Sequence, residues 1–226
     1  MEYMAGPAKS NVAVAGRNPE RTRARILSAA LEEFAANGFA GARVDAIARR
    51  AAINKRMLYH YFGDKEGLFR EVLRRKMEQR ALWLASAPED PMESLPYWFR
   101  LACGDTDWVR LLEWEALQRG ERQVTDEERR RQGAGQAIAR LEQRQAKGFL
   151  PTELDPGQLL LALMGITAYP FAFPQLARLV TGLSVSDPEF QERREHFLRQ
   201  FAASFQSRFS RANTASPSRN PRAVAQ

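Results

Sequence analysis

Asn54, Lys55 and Arg56 open a short stretch of helical period, and their types suit contact with nucleic acid. An arginine guanidinium forks onto the O6 and N7 of guanine, and a lysine ammonium reaches a base or a phosphate. Asparagine is a good N-cap. Stepping outward from them, Met57, Leu58 and Tyr61 form the apolar face of the helix that Asn54 would cap. Upstream, Val44, Ile47, Ala48 and Ala51 fall at i, i+3, i+4 and i+7, one face of an earlier helix. Only Ala52-Ile53-Asn54 separates the two. Two helices joined by so short a turn have the form of a helix-turn-helix over residues 43–62. The N-terminal side chains of its second helix reach base edges in a major groove, while flanking residues hold phosphates.

The surrounding residues carry a resemblance. Ile47-Ala48, the short turn, Leu58-Tyr59-His60-Tyr61-Phe62, and Asp64-Lys65-Glu66 with Leu68-Phe69 stand in fixed register. Over Pro19–Phe69, about a quarter of the chain, the sequence resembles the DNA-binding domain of the TetR family of transcriptional repressors. The resemblance implies that Tyr59 and His60 contact backbone or base and that Lys65 holds a phosphate. Arg43 occupies a position where the family often has a phosphate-binding threonine. Two residues depart from the family pattern: Ala42 replaces a frequent capping threonine, and Arg56 replaces a frequent glycine. The second puts a long cation in the groove, so no operator sequence can be borrowed.

Charge agrees with this division. Residues 1–80 hold 16 Lys+Arg against 9 Asp+Glu, whereas residues 81–226 hold 18 of each, so the whole +7 lies in the motif-bearing part. A basic module beside a neutral one suits polyphosphate binding by the first. Cys103 is the single cysteine, which excludes an intramolecular disulfide and points to a reducing compartment. No apolar run approaches the ~20 residues of a membrane span, and the N-terminus lacks a signal-peptide core. The expectation is a cytoplasmic protein with no membrane partner.

Helix signals recur along the chain. Asn18-Pro19, Asp90-Pro91, Asp155-Pro156 and Asp187-Pro188 each pair a capping side chain with proline at the first helical position. Asp90–Glu93 and Thr125–Glu128 read as capping boxes. Asn37-Gly38 stops the first helix, Gly63 the third, and Asp64 caps a fourth helix that continues to about Leu84. Three small helices bury little surface on their own, so they should lean on this fourth helix, the mechanical link to the rest. Later helices are expected at about 91–102, 105–118, 125–147, from Asp155, and at 187–209. The segment from Asp155 kinks or breaks near Tyr169, since Pro170 and Pro174 fall inside it. In the last helix Phe190, Phe197, Phe201 and Phe205 fall near one face. Nothing alternates over a strand's length.

The expected fold is therefore all-α. A flexible arm (1–18) precedes a helix-turn-helix DNA-binding domain (19–79), followed by a C-terminal helical domain (80–209) and a disordered basic tail (210–226). The resemblance implies that the C-terminal domain encloses an inducer pocket and forms a homodimer through its last two long helices. Among the large apolar groups there, Trp98, Trp108 and Tyr169 are the pocket candidates, Tyr169 because a proline break exposes backbone groups. Two histidines, one cysteine and no phosphate loop leave no catalytic or metal-ligating constellation, and no cofactor is expected. The reading is a repressor binding a palindromic DNA operator as a dimer and released by a small apolar or aromatic inducer. The alternative is a constitutive helical DNA-binding and assembly protein without a ligand.

Overall fold

The computed structural model describes residues 18–122 and 124–214. Among them the chain forms ten α-helices: α1 (Pro19–Gly41), α2 (Val44–Arg50), α3 (Lys55–Phe62), α4 (Lys65–Ser86), α5 (Pro91–Gly104), α6 (Thr106–Arg119), α7 (Glu127–Ala146), α8 (Pro156–Ala172), α9 (Pro174–Thr181) and α10 (Pro188–Thr214). The expected arm and most of the expected tail lie outside the described residues. The last helix, however, runs on to Thr214, into the stretch whose composition suggested a tail.

Local capping accounts for half of the starts, Asn54 of α3 among them. Asn18, Asp64, Asp90 and Asp155 accept from backbone amides of their own first turns. Two capping expectations fail. Asp187 turns upstream, where Oδ2 accepts from the Ser184 amide at 2.7 Å. Thr125 does not cap α7, and its amide, which a capping box would turn to Glu128, donates to Glu115 Oε1 on α6. Asp126 takes the cap position instead, in the left-handed region and without a side-chain bond. The Asp90 cap forms, but Glu93 reaches Arg199 of α10 at 3.3 Å.

The proline-rich segment breaks four residues later than expected. Pro170 is carried inside α8, and the axis turns by 87° between α8 and α9. The break falls at Phe173 (φ −126°, ψ 63°), since the ring of Pro174 disfavours helical geometry in the residue before it.

Two cores result. The first gathers Ile26, Ala30 and Phe34 of α1, Ile47 of α2, Leu58 of α3, and Leu68, Phe69, Val72 and Leu73 of α4, and it also takes in Trp108 and Leu111 of α6. The second joins Leu95 and Phe99 of α5, Val109 of α6, Phe171 of α8, and Phe190, Leu198 and Ala202 of α10. Phe197 departs from the face expected for it: it is exposed and stacks on Phe201. The side chain of Phe205 lies outside the described set.

The linkage between halves is thus not α4 alone, as the pattern of small helices suggested. Trp114 of α6 donates its Nε1–H to the Ala35 carbonyl of α1 at 3.2 Å. Its ring lies against Gly38, which interrupts α1 at φ +67°. A Cβ at Gly38 would stand 2.9 Å from Trp114 Cδ2. Gly38→Ala combines backbone strain with that clash and is expected to lower stability by about 1–3 kcal/mol. Chemical denaturation of the two proteins measures it, and an unchanged midpoint would refute the role of this contact.

Candidate nucleic-acid interface

The helix-turn-helix closes through its own backbone. Ala52 adopts φ +50°, its amide bonds the Arg49 carbonyl, and the Ile53 amide bonds the Ala48 carbonyl. This is the Schellman arrangement that ends a helix, made here with alanine rather than glycine. Ile53 packs on the first core, and Asn54 then starts α3 by accepting from the Met57 amide at 2.8 Å.

Amphipathicity orients α3. Leu58 is fully buried, and Tyr61 and Phe62 pack on the same core. Asn54, Lys55, Arg56, Tyr59 and His60 are left exposed. The exposed residues differ in freedom. Asn54 Oδ1 is committed to its cap, so the amide NH2 is what remains for a ligand. Lys55 Nζ lies 3.1 Å from Asp45 Oδ1 of α2, and the hydrogen bond to Asp45 raises its pKa. An exposed pair of this kind is weak and easily exchanged for a phosphate. Arg56 makes no hydrogen bond, ion pair or ring contact among the described residues. His60 stands edge-on to Tyr61, with ring centroids 5.8 Å apart.

The flanking cations are placed as follows. Arg43 immediately precedes α2 with its side chain exposed. The Asp45–Lys55 pair joins the starts of α2 and α3, so Arg43 and the start of α3 share one end of the motif. Lys65, at the start of α4, is held more tightly. Its Nζ lies 4.9 Å from the Phe39 ring centroid and donates to the Ala40 carbonyl at 3.3 Å. Burial lowers its pKa, and two of its three protons stay free of that bond.

One residue of this unit escaped the sequence reading. Glu33 of α1 is buried; Oε1 accepts from the Arg43 amide at 3.1 Å and Oε2 from Arg50 Nη1 at 3.3 Å. One carboxylate thereby ties both ends of α2 to α1. The available signal was a charge beside the inward stripe of Ile26, Ala30 and Phe34, where an unpaired carboxylate would be costly.

The three pocket candidates occupy different surroundings. Trp108 belongs to the first core, with the guanidinium carbons of Arg80 and Arg130 at 5.3 and 5.8 Å from its ring centroid. Trp98 is half-buried and edge-on to Tyr97. Tyr169 is 47% exposed and packs on Phe173.

Comparison with known proteins follows the same two-part division. Residues 26–72 match the family described as bacterial regulatory proteins, tetR family. Residues 97–203 match the tetracyclin repressor-like C-terminal domain. The HTH-type transcriptional repressor SCO4008 of Streptomyces coelicolor is 34% identical over 172 residues, 75% of this chain and 88% of that protein. The HTH-type transcriptional repressor NicS of Pseudomonas putida is 47% identical over 60 residues, 26% of this chain and 28% of that one. The crystal structure of SCO4942 from Streptomyces coelicolor superposes with a TM-score of 0.68 at 27% identity, covering 81% of this chain and 97% of the other.

Proposed function

The chain belongs to the tetR family of bacterial regulatory proteins and is a DNA-binding transcriptional regulator, and on that premise we propose that it represses from a palindromic operator as a homodimer. The observation that carries the reading is the outward face of α3: Arg56 free at its start, with Tyr59 and His60 one turn on. Arg56 reads a base, Lys55 a base or phosphate, and Arg43 and Lys65 hold the backbone on either side. Two such heads related by a two-fold axis meet successive major grooves about one helical turn, ~34 Å, apart. Selection from random DNA tests this. The expected product is an inverted repeat, and a single unrepeated site would count against the dimer.

Exposed apolar residues support the second copy. Leu161, Met164 and Tyr169 stand out from α8, and Phe197 from α10. Arg194 of α10 bonds the Ile166 carbonyl of α8 at 2.8 Å and covers the Phe197 ring. That bond ties the two helices together, and a symmetric partner packed on both would remove these groups from water. The double substitution Leu161→Glu, Phe197→Glu is expected to yield a monomer by light scattering at micromolar concentration, with operator affinity reduced at least ~10-fold. A dimer of wild-type affinity would place the interface elsewhere.

Release is assigned to a small apolar or aromatic inducer in the C-terminal half. Such a ligand acts only through its difference in affinity for two conformations. Its path to the reading heads is short, since α6 is bonded to α1 through Trp114 and shares the first core with α4. Of the three aromatic candidates, Trp98 is the one taken up neither by the first core nor by the outward stripe of α8. Thermal shifts against a metabolite panel test this arm; if no compound shifts the protein, the constitutive reading replaces it.

A further inference from the structure

A cleft of about 20 Å³ opens where the last turns of α7 meet the corner between α4 and α5, lined by Glu89, Arg140, Gln143, Arg144, Lys147 and Phe149. Arg140, Arg144 and Lys147 follow one another at i, i+4 and i+7, so three cations share one helix face. Like charges at that spacing repel, and the surroundings relieve them only in part. Glu89 accepts from Lys147 at 3.0 Å. Asp90 is spent on the cap of α5. Arg144 donates to the Ser94 hydroxyl and the Pro88 carbonyl, both neutral. Arg140 is left over: its Nη1 is buried and has no hydrogen-bond partner among the described residues. Burial and then the neighbouring Arg140 charge hold the Arg144 pKa below its usual value. Three cations against Glu89 and Asp90 leave a surplus of one positive charge at the cleft.

We propose that this cleft is a binding site for a small oxyanion, the phosphate or carboxylate group of a metabolite, with Arg140 as its principal donor. A planar guanidinium matches such a group with paired N–H bonds. Arg144 and Lys147 add charge, and Gln143 adds an amide. Room for a water-sized centre takes an oxygen or two of the anion, so the rest of the ligand lies outside, beside the half-exposed Phe149 ring. A group bound there bridges α7 and the loop that ends α4. The assignment does not rest on the operator reading.

Phosphate would also meet the cations around α3, and the test separates the two places. Thermal unfolding of the full chain is followed in inorganic phosphate, in acetate and in chloride at matched ionic strength, for wild type, Arg140→Gln and Arg56→Ala. Each protein is referred to its own chloride baseline, so a general loss of stability from the substitution cancels. Binding to the folded state raises the midpoint. The expected result is a shift by phosphate or acetate in wild type, the same shift in Arg56→Ala, and under a quarter of it in Arg140→Gln. Whichever anion gives the larger shift identifies the head group. Titration calorimetry at 25 °C repeats the comparison away from unfolding and should show at least tenfold weaker binding to Arg140→Gln. An undiminished shift in Arg140→Gln, its loss in Arg56→Ala, or no shift by either anion in wild type overturns the site.

Discussion

Replacing Arg56 by alanine is expected to weaken binding to the selected operator by about 10- to 100-fold, while random DNA loses no more than about 2-fold. A good bidentate contact to a base contributes about 1–3 kcal/mol of discrimination, and about 1.4 kcal/mol is a factor of ten. Among the described residues nothing competes for this guanidinium, so its donors are delivered to the groove without breaking an internal bond. Its side chain is exposed, and its removal should leave the unfolding midpoint in place. Lys65→Ala is the contrast: a phosphate contact carries no sequence information, so that variant should lose affinity for operator and random DNA alike. Titrations of both variants on both DNAs at fixed salt decide the matter. Equal losses on the two DNAs for Arg56→Ala would remove it from the bases.

Glu33→Ala, although its side chain lies beneath the reading face, is expected to lower operator and random-DNA binding together by about tenfold, or 1.4 kcal/mol. It should also reduce stability by about 1–3 kcal/mol, the cost of orphaning buried hydrogen-bond partners. The carboxylate holds the Arg43 amide and the Arg50 guanidinium at once. Losing it frees α2, against which α3 is set by the turn at Ala52. Glu33→Gln keeps an acceptor for the Arg43 amide and should recover most of both losses. Wild-type affinity and midpoint in Glu33→Ala would show that α2 is held without it.

Much of this arrangement could be read from residue order because its causes are local. While Gly38 kinks α1 and the helix runs on to Gly41, the turn between α2 and α3, the Asn54 and Asp64 caps, and the Gly63 stop act over a few residues. So do the outward positions of Arg56, Tyr59 and His60, which follow from a period of 3.6 once Leu58 is inside. The errors came where a distant group outbid a local one. The box at Thr125 does not close: Glu115, ten residues away, takes the amide that Glu128 would have accepted. The break after α8 falls at Phe173 rather than Tyr169 because packing tolerates Pro170 and leaves Pro174 to end the helix. For the pocket candidates the structure supplies surroundings: Trp108 lies in the first core, where α6 packs on α1. Tyr169, put forward because the proline break exposes backbone groups beside it, is 47% exposed and packs on Phe173.

Periodicity, capping chemistry and the placement of seven surplus positive charges were enough to establish an all-helical chain with a basic helix-turn-helix at its start. These are properties of neighbouring residues, and neighbouring residues suffice to express them. Which helix the DNA-binding unit leans on, and which carboxylate fixes α2, depended on contacts of long sequence separation. Glu33 meeting Arg50, and Trp114 meeting Ala35 across 79 positions, are such contacts. So is the cationic cleft at Arg140, where α7 returns to a corner some fifty residues upstream. Such contacts form only when whole helices pack, and no short-range pattern encodes their partners.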